Sequence, residues 1–301
     1  MVTTFFIIDG QGLEAQAALL AATLKHHNGD RFRLIAYVPD RHRPHLNPDL
    51  VAHLIRCGVE LRRLAVAATV WAKPYPHGNK ILAASDTRGP GHAMFIDTDM
   101  ICTAPIDLTG LLHDRAIAVA PEGKPSWGKD LSGWRLVYEQ FDLPLPQDRV
   151  TLTRGKRRAF LPYFNAGMIL FPEGPLVDGQ GFGDLWLHVA LVIDHIVPVA
   201  DKRPWLDQIS LPVTLKRHGL DYVLAPEALN FSTSRRVEQG FEAPVLMHYH
   251  KFGYLADWPR HQQAAFDQTR ALAGEALFAG LLETYGCYWH SQPAPAEIAA
   301  E

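Results

Sequence analysis

Cysteine is scarce in this sequence: the 301 residues include three, Cys57, Cys102 and Cys287, and no CxxC pair. A sparse, odd set of this kind argues against a disulfide framework and predicts reduced thiols in a cytoplasmic protein. Cys102 lies within an apolar run, so we expect it in the core.

Long hydrophobic runs are absent as well. No stretch approaches the roughly 20 apolar residues that a membrane-spanning helix needs. The opening sequence MVTTFFIIDG has no basic region and soon reaches Asp9, which predicts a first strand rather than a signal peptide. We therefore expect no transmembrane segment.

An excess of positive charge is also missing. The formal net charge is −3, with 48% apolar and 20% charged residues. This composition is typical of a soluble globular protein and argues against nucleic-acid binding. The motifs GxxxxGK[ST], GxGxxG, GxSxG and HExxH do not occur, which argues against a P-loop enzyme or a typical dinucleotide oxidoreductase.

Strand and helix patterns alternate over the first hundred residues. β-branched and aromatic runs predict strands at 4–8, 32–40, 59–64 and 93–97, and apolar residues at helical spacing predict helices at 13–27, 46–58 and 79–86. That order predicts an α/β fold, a mixed but mostly parallel sheet flanked by helices. Ligands of such sheets bind at the carboxyl ends of the strands, where Asp9 and Asp97 fall.

The second half of the chain is less regular. It predicts strands at 163–171, within 221–231 and at 243–250, and helices at 182–196, 207–219 and 261–286. Since there is no internal repeat and no clear linker, we expect a single domain over 1–290. Residues 291–301, SQPAPAEIAAE, are expected to form a disordered tail.

Two acids interrupt the apolar stretch HAMFIDTDMICTAP, residues 92–105: Asp97 and Asp99, one residue apart. In an extended chain their carboxylates point the same way and repel each other unless a cation lies between them. Hard oxygen ligands of this kind suit Mg²⁺ or Mn²⁺. The alternative is a surface turn with two solvated acids, which the flanking apolar runs disfavour.

The segment HYH, residues 248–250, ends the last predicted strand. His248 and His250 share a face there, and neutral imidazole is a good metal ligand, although a satisfied, partly buried histidine is the alternative. Lys251 follows directly. Two carboxylates, a histidine and a metal beside a lysine suit a diphosphate, because they neutralise charge that builds on a departing phosphate oxygen.

Four stretches together resemble a known family. FIDTDMI resembles the DxD motif of glycosyltransferases with the GT-A fold. NAGMILF (165–171), DQISL (207–211) and HYHKFGYL (248–255) resemble, in the right order, the asparagine–alanine–glycine strand, the Asp-Gln helix start and the late histidine motif of the glycogenin and lipopolysaccharide galactosyltransferase family, family eight. NKILAASD, which contains Lys80, resembles the helix before the DxD motif. The resemblance spans residues 4–255 and implies the GT-A fold, with a Rossmann-like sheet.

The resemblance implies a hexosyltransferase that takes a nucleotide-sugar donor, most simply a UDP-sugar, together with Mn²⁺ or Mg²⁺ and a glycan or lipid-linked acceptor. Residues 1–120 would form the nucleotide-binding half, 121–260 the acceptor half and 261–290 a C-terminal helix. The metal ligands would be Asp97, Asp99 and His248. The family's histidine motif is followed by a glycine and Lys-Pro-Trp, but here Lys251-Phe252-Gly253 follows. This departure leaves the choice of histidine open, so His250 is the alternative to His248.

The resemblance also implies roles at the donor. The residues concerned are Asp9 at the base or ribose, Lys80 at the ribose or a phosphate, Thr98 within the DxD motif, Asn165, Ala166 and Gly167 along the sugar, Asp207 and Gln208 near its reacting carbon, and Lys251 at the diphosphate. Asn165, Asp207 and Gln208 would be the catalytic set. The family retains anomeric configuration, and since Gln208 is a weak nucleophile, we favour a front-side route that relies on positioning and charge stabilisation.

The region 123–162 would form much of the acceptor side. Trp127 and Trp134 could stack on sugar rings, but we favour packing in the core. The run RGKRR, residues 154–158, could receive an anionic acceptor or a lipid phosphate, and a solvated basic loop is the alternative. Peripheral membrane contact is therefore compatible with the sequence, which leaves the oligomeric state open.

Two other classes stay open. An aspartate-dependent phosphohydrolase would use a strand-end aspartate in FIIDG or FIDTDM as its nucleophile and the i+2 carboxylate as acid or base. It lacks the expected Ser or Thr and lysine in clear order. A non-catalytic relative would bind a nucleotide or glycan without transfer, and the intact Asp-Thr-Asp argues against it.

Overall fold

The computed structural model describes residues 1–240 and 242–290. Its strands are β1 (Val2–Ile7), β2 (Phe32–Pro39), β3 (Val59–Leu64), β4 (His92–Ile96), β5 (Met100–Cys102), β6 (Ala116–Pro121), β7 (Val150–Thr151), β8 (Ala159–Phe160), β9 (Phe164–Pro172), β10 (Asp221–Leu224), β11 (Phe231–Ser232) and β12 (Leu246–His248). Its helices are α1 (Gln11–Asn28), α2 (Pro48–Arg56), α3 (Asn79–Ala84), α4 (Ser132–Glu139), α5 (Phe182–His195), α6 (Leu206–Arg217), α7 (Phe252–Ala256), α8 (Pro259–Ala273) and α9 (Glu275–Trp289).

Seven strands form the central sheet, in the order β10-β6-β9-β4-β1-β2-β3. Only β9 runs antiparallel to its neighbours β4 and β6, and the other pairs are parallel. This mixed, mostly parallel sheet confirms the predicted α/β class. All six residues of β1, VTTFFI, are buried because helices cover both faces, and this explains why both faces of the strand carry β-branched and aromatic residues.

The helices pack two apolar clusters, one on each face of the sheet. One cluster includes Leu20 of α1 and Leu54 of α2, together with residues of α8 and α9. The other includes Trp186 of α5 and Ile209 of α6. Between them they bury the apolar stripe of every long helix, so the sheet edge where the strands end is left for polar side chains.

A three-stranded sheet, β11-β12-β5, joins two distant parts of the sequence. β12 pairs antiparallel with β5, and His248 lies opposite Met100 in the register. Since Met100 directly follows Asp99, this pairing places the HYH segment beside the two aspartates.

Trp127 and Trp134 belong to the core, as favoured from the sequence. Both are buried, and their rings contact edge to face with centroids 5.0 Å apart. The indole Nε1 of Trp127 donates to the carbonyl of Ala200 at 3.2 Å. Neither ring is available for stacking on a sugar.

The predicted helix over 261–286 is wrong as a single element, since α8 and α9 are separate helices. They are divided at Gly274, whose φ of 75° lies in the left-handed region that favours glycine. The predicted tail at 291–301 lies outside the described residues. Among those described, no helix combines the length and apolarity needed to cross a membrane. Cys57 and Cys102 are buried, Cys287 is exposed, and all three are free.

Candidate active site

Four polar residues lie at one edge of the central sheet. Asp9 and Asp97 follow β1 and β4 at their carboxyl ends, and Glu122 directly follows β6. Because β9 runs the opposite way, Asn165 near its start lies at the same edge and pairs with Ala120. The carboxyl edge of a mostly parallel sheet is where α/β proteins bind ligands, so this edge is the candidate site.

Asp97 and Asp99 lie in a tight turn between β4 and β5, and not in extended chain as the same-face argument assumed. The hydroxyl of Thr98 donates to the carbonyl of Ile7 at 2.5 Å, so this side chain fastens the turn to β1. The backbone N–H of Asp97 donates to the carbonyl of Gly167 at 2.7 Å. The turn is thus held from both neighbouring strands, which fixes both carboxylates.

Lys80 is a buried cation between two acids. Its Nζ lies 2.8 Å from Oδ1 of Asp97 and 3.0 Å from Oδ2 of Asp207, and it donates to the carbonyl of Ala166 at 3.3 Å. Burial disfavours the ammonium, but the two carboxylates outweigh burial and raise the pKa of Lys80 above its usual value. The site therefore contains a fixed positive charge next to the aspartate turn.

Hydrogen bonds orient four side chains in a row. Glu122 accepts from Nδ2 of Asn165 at 3.0 Å, which turns Oδ1 of Asn165 toward the N–H of Gly167 and Nδ2 of Asn230, both at 2.9 Å. Oδ1 of Asn230 consequently faces Nδ1 of His248 at 2.9 Å. Because an amide oxygen only accepts, Nδ1 of His248 carries the proton and Nε2 points to the aspartates.

His248 joins the acid pair through Nε2, which lies 3.2 Å from Oδ1 of Asp99 and 3.9 Å from Oδ2 of Asp97. Burial disfavours the charged imidazolium of His248, but Asp99 and Asp97 outweigh burial and raise its pKa. Burial likewise favours the neutral acid of Asp99, yet the charge of the protonated His248 outweighs it and holds the pKa of Asp99 well below its usual value. Burial, reinforced by the charge of Asp99, raises the pKa of Asp97 despite the opposing effect of Lys80. Two acids so close favour a cation between them.

His250 also reaches the cluster. Its φ of 58° is left-handed, and its ring contacts that of His248 with centroids 3.8 Å apart. Nε2 of His250 lies 2.8 Å from the hydroxyl of Ser232. Burial, helped by the charge of His248, lowers the pKa of His250 to about 3, so this imidazole is neutral.

The donor set fits a divalent cation. Ligand atoms of Asp99, His248 and His250 all lie within 4.8 Å of one another. Asp97, predicted as a ligand, is not part of this group: its Oδ1 contacts Lys80, and its Oδ2 lies 3.9 Å from Nε2 of His248. The sequence offered the histidines as alternatives, whereas the structure brings both together. Oriented imidazole and carboxylates are the chemistry of a protein metal site, with Asn230 as the partner that orients a ligating histidine.

Gly167 is placed where only glycine fits. A Cβ added there would lie 2.8 Å from Oδ1 of Asn165 and 2.8 Å from Cε1 of His248. The close approach of β9 to the histidine thus requires a residue without a side chain. Ala166, predicted beside it, contributes its carbonyl to Lys80.

Asp207 and Gln208 open α6 and lie next to Lys80. Both oxygens of the buried Asp207 are engaged, Oδ1 by the hydroxyl of Tyr75 at 3.0 Å and Oδ2 by Lys80. The side-chain oxygen of Gln208 is buried and, among the described residues, has no hydrogen-bond partner. A buried acceptor of this kind needs a donor from elsewhere, such as a ligand hydroxyl.

Asp9 lies beside a separate cavity. It forms an ion pair with Arg41 and accepts from Nδ2 of Asn79 at 2.9 Å. Arg41 and Asn79 also line a cavity of about 340 Å³ together with Trp71 and Tyr75. An aromatic cavity with polar groups at its entrance is suited to a flat, heteroatom-rich ring.

Lys251, like Asp9, is a predicted site residue that forms no hydrogen bond or ion pair with the other predicted site residues among those described. Its side chain is exposed, and Nζ lies 5.9 Å from the ring centroid of Tyr254. Among the described residues it forms no ion pair with Asp97 or Asp99. A role at the diphosphate stays a prediction.

Sequence reasoning missed Glu122, Asn230, Tyr75 and Arg41. Glu122 follows a strand in the same way as Asp9 and Asp97, so the rule that identified those two would also have found it. Asn230 lies in a short 3₁₀ turn, Glu227–Asn230, and no sequence pattern marks it.

Comparison with solved structures places this geometry in a known fold. The galactosyltransferase LgtC, solved in complex with donor and acceptor sugar analogues, is 15% identical, with a TM-score of 0.53 over 94% of this chain and 100% of that chain. The bifunctional glycosyltransferase WbbM is 11% identical, with a TM-score of 0.53 over 94% of this chain and 51% of that one. The glycosyltransferase GlyE of Streptococcus pneumoniae TIGR4 is 14% identical, with a TM-score of 0.50 over 98% and 66%. At such identities the likeness concerns the fold, which is GT-A.

Sequence comparison gives the family. No curated protein matches the chain significantly. The family model of the Rhodobacterales glycosyltransferase domain, in contrast, matches residues 4–219, which include the aspartate turn, Lys80, Asn165 and the start of α6. The chain therefore belongs to the Rhodobacterales glycosyltransferase family and is a glycosyltransferase with a GT-A fold.

Proposed function

We propose that the enzyme moves a hexose from a nucleotide-sugar donor, a UDP-sugar, to a glycan or lipid-linked acceptor with retention of anomeric configuration. One observation carries the proposal: the acid pair, the buried Lys80 and two histidines meet at the carboxyl edge of the sheet. This concentration of fixed charges and metal-ligating atoms suits a cation and a diphosphate together.

Asp99, His248 and His250, with Asp97 beside them, would hold the cation. Two imidazoles among the donors favour Mn²⁺ over Mg²⁺, which prefers an all-oxygen set. When bound, the cation would neutralise charge on the departing diphosphate. Lys80 supplies a second positive charge, and Asp97 and Asp207 hold its ammonium in place.

The nucleoside would occupy the cavity beside Asp9. Its volume of about 340 Å³, with Trp71 and Tyr75 in its lining, accommodates a base. Arg41 contacts both oxygens of the Asp9 carboxylate, and Asn79 donates to Oδ2. Each carboxylate oxygen has two lone pairs, so Asp9 could also accept from a ribose hydroxyl.

The sugar would lie between Asn165 and Gln208. The unpartnered oxygen of Gln208 would accept a hydrogen bond from a sugar hydroxyl. The hydrogen bond from Nδ2 of Asn165 to Glu122 holds the Asn165 amide in one orientation. Because both oxygens of Asp207 are engaged, this carboxylate positions Lys80 and is poorly placed to attack carbon. These contacts support the front-side route, and mass-spectrometric detection of a glycosyl adduct on Asp207 would refute it.

A thermal-shift panel of UDP-, GDP-, CMP- and ADP-sugars with and without Mn²⁺ tests the function. We expect the largest stabilisation from a UDP-sugar with Mn²⁺, roughly 2.7 kcal/mol at a hundredfold excess over Kd. Asp99→Ala should abolish the part of this thermal stabilisation that depends on Mn²⁺. Asp107→Ala, at an exposed aspartate bonded to Thr109, is the control and should retain it. A full Mn²⁺ response in Asp99→Ala would show that the metal site is misassigned.

The alternatives receive less support. A phosphohydrolase needs a free strand-end carboxylate, but Asp9 is paired with Arg41 and Asp97 with Lys80. A non-catalytic relative would not need the full set of oriented ligands. We also propose a cytoplasmic location, which the three free cysteines support.

A further inference from the structure

A cavity of about 920 Å³ lies on the acceptor side of the site. Six cationic side chains line it: Lys124, Lys129, Arg154, Lys156, Arg158 and Arg235. None of the described residues in its lining is acidic. Since the whole chain has a net charge of −3, this is a local concentration of positive charge and not a general property of the surface.

Glu122 and Glu227, whose charges act on Arg154 of the cavity, have their closest side-chain contacts outside it. Glu227 pairs with Arg157 at 3.5 Å and with Arg236 at 2.7 Å, and Glu122 accepts from Asn165. Among residues 1–240 and 242–290, no carboxylate lies within ion-pair distance of the four cations Lys124, Lys129, Lys156 and Arg158. The basic run 154–158 therefore has two environments. Arg154, Lys156 and Arg158 line the cavity, whereas Arg157 does not line it and pairs with Glu227.

The cavity adjoins the proposed metal site. Nη1 of Arg154 donates to the hydroxyl of Ser232 at 3.2 Å, and the same hydroxyl lies 2.8 Å from Nε2 of His250. On the opposite side, Trp205 lines the cavity and comes directly before α6, which begins with Leu206, Asp207 and Gln208. A molecule in the cavity would therefore lie beside the place proposed for the donor sugar.

We infer that this cavity is the acceptor site and that the acceptor is a saccharide bearing an acidic group, a phosphate or a carboxylate. The inference rests on the proposed function and narrows its acceptor class. Half-buried Trp205 and Tyr254 offer aromatic faces to a sugar ring, and lysine and arginine donate charge-assisted hydrogen bonds to an acid. A neutral acceptor would bring no negative charge to Lys124, Lys129, Lys156 and Arg158, which have no carboxylate at ion-pair distance among the described residues.

The concave shape separates a saccharide from a membrane surface. A flat bilayer would contact cations spread over a convex face, whereas these cations, most of them exposed, line a cavity that also has the aromatic side chains of Trp205 and Tyr254 in its lining. We therefore assign the acidic group to the acceptor sugar itself, and a lipid surface becomes an outcome of the test.

Ligand-observed NMR with UDP and Mg²⁺, a diamagnetic substitute for Mn²⁺, gives a direct test at millimolar ligand. The probes are glucose 6-phosphate, methyl glucuronide and, as the neutral match, methyl glucoside. At least one acidic probe should bind about tenfold more tightly than the neutral one, since one charge-assisted bond is worth such a factor. Lys156→Ala combined with Arg158→Ala should remove that preference, and the two acidic probes distinguish phosphate from carboxylate.

Arg157→Ala is the matched control, because it removes a neighbouring cation that does not line the cavity. It should keep the preference for the acidic probe. Equal binding of all probes, no binding of either acid, or a preference that survives in the double variant would overturn the inference. Phosphatidylglycerol vesicles test a lipid surface instead. If the wild type binds these vesicles and the double variant does not, while the double variant keeps its preference for the acidic saccharide, the cations serve a membrane and the inference is overturned.

The donor measurement separates this inference from the proposed function. If the Mn²⁺-dependent stabilisation by a nucleotide sugar is present and the acid preference is not, the acceptor assignment alone is wrong. If no nucleotide sugar stabilises the protein, the proposed function itself is wrong.

Discussion

Nδ1 of His248 lies 2.9 Å from Oδ1 of Asn230, and this contact decides which nitrogen of the histidine faces the aspartates. The orientation is inherited from Glu122 through Asn165, because a carboxylate can only accept. Glu122, more than a hundred positions before His248 in sequence, thereby influences which nitrogen of this proposed metal ligand carries the proton.

Replacing Asn230 should weaken metal binding. Asn230→Ala removes the acceptor that fixes His248, and loss of such a partner typically costs 10–100-fold in metal affinity, so we expect a loss of about that size. A titration with Mn²⁺ followed by electron paramagnetic resonance measures the change in Kd.

Asn47→Ala is the control for this variant. Asn47 caps α2, where its side chain accepts from the N–H groups of Asp49 and Leu50, and it lies outside the site. Its removal should cost about 1 kcal/mol of stability and leave Mn²⁺ affinity unchanged. Equal Mn²⁺ affinity in Asn230→Ala and the wild type would disprove the orienting role.

Lys80 should be essential for stability as well as activity. Lys80→Met leaves the buried Asp207 and the half-buried Asp97 without their cation, and breaking a buried pair such as Lys80–Asp207 costs about 3–5 kcal/mol. Urea unfolding without metal measures the loss. Lys25→Met, which breaks an ion pair with the 94% exposed Asp30, should cost less than about 1 kcal/mol. Similar losses in both variants would mean that Lys80 is not the charge balance of this site.

Much of the fold follows from local pattern. Buried parallel strands are rich in apolar and β-branched residues, so β1 and β4 were predictable, and the acids that follow them, Asp9 and Asp97, identified the functional edge. The resemblance of four stretches predicted a glycosyltransferase with the GT-A fold, and this prediction is confirmed. Gly274, by contrast, divides α8 from α9 inside a region whose apolar spacing suggests one helix, and no pattern announces its left-handed φ.

The site was predictable only in part because its contacts are long-range. Residue type pointed to Asp99, His248 and His250, but their convergence depends on the pairing of β12 with β5. Asn230 reached the site through a turn without any sequence signal. The aspartates were expected in extended chain, and the structure places them in a turn because Thr98 bonds back to Ile7.

Gly167→Ala should damage the site while leaving the fold intact. The new Cβ would lie 2.8 Å from both Oδ1 of Asn165 and Cε1 of His248, so one of them must move, at a cost of about 1–3 kcal/mol. We expect a lower melting temperature and at least about tenfold weaker Mn²⁺ binding, since the histidine is displaced. Circular dichroism and the Mn²⁺ titration measure the two effects.

Gly12→Ala tests whether adding a methyl group matters in itself. Gly12 lies in α1, and the nearest atom to an added Cβ is Cε1 of Tyr288 at 3.8 Å, an ordinary contact. This change should stabilise the protein by about 0.5–1 kcal/mol, because alanine is the better helix former, and Mn²⁺ affinity should not change. If Gly167→Ala also retained full Mn²⁺ affinity, displacing His248 would not affect the metal, and His248 would not be a metal ligand.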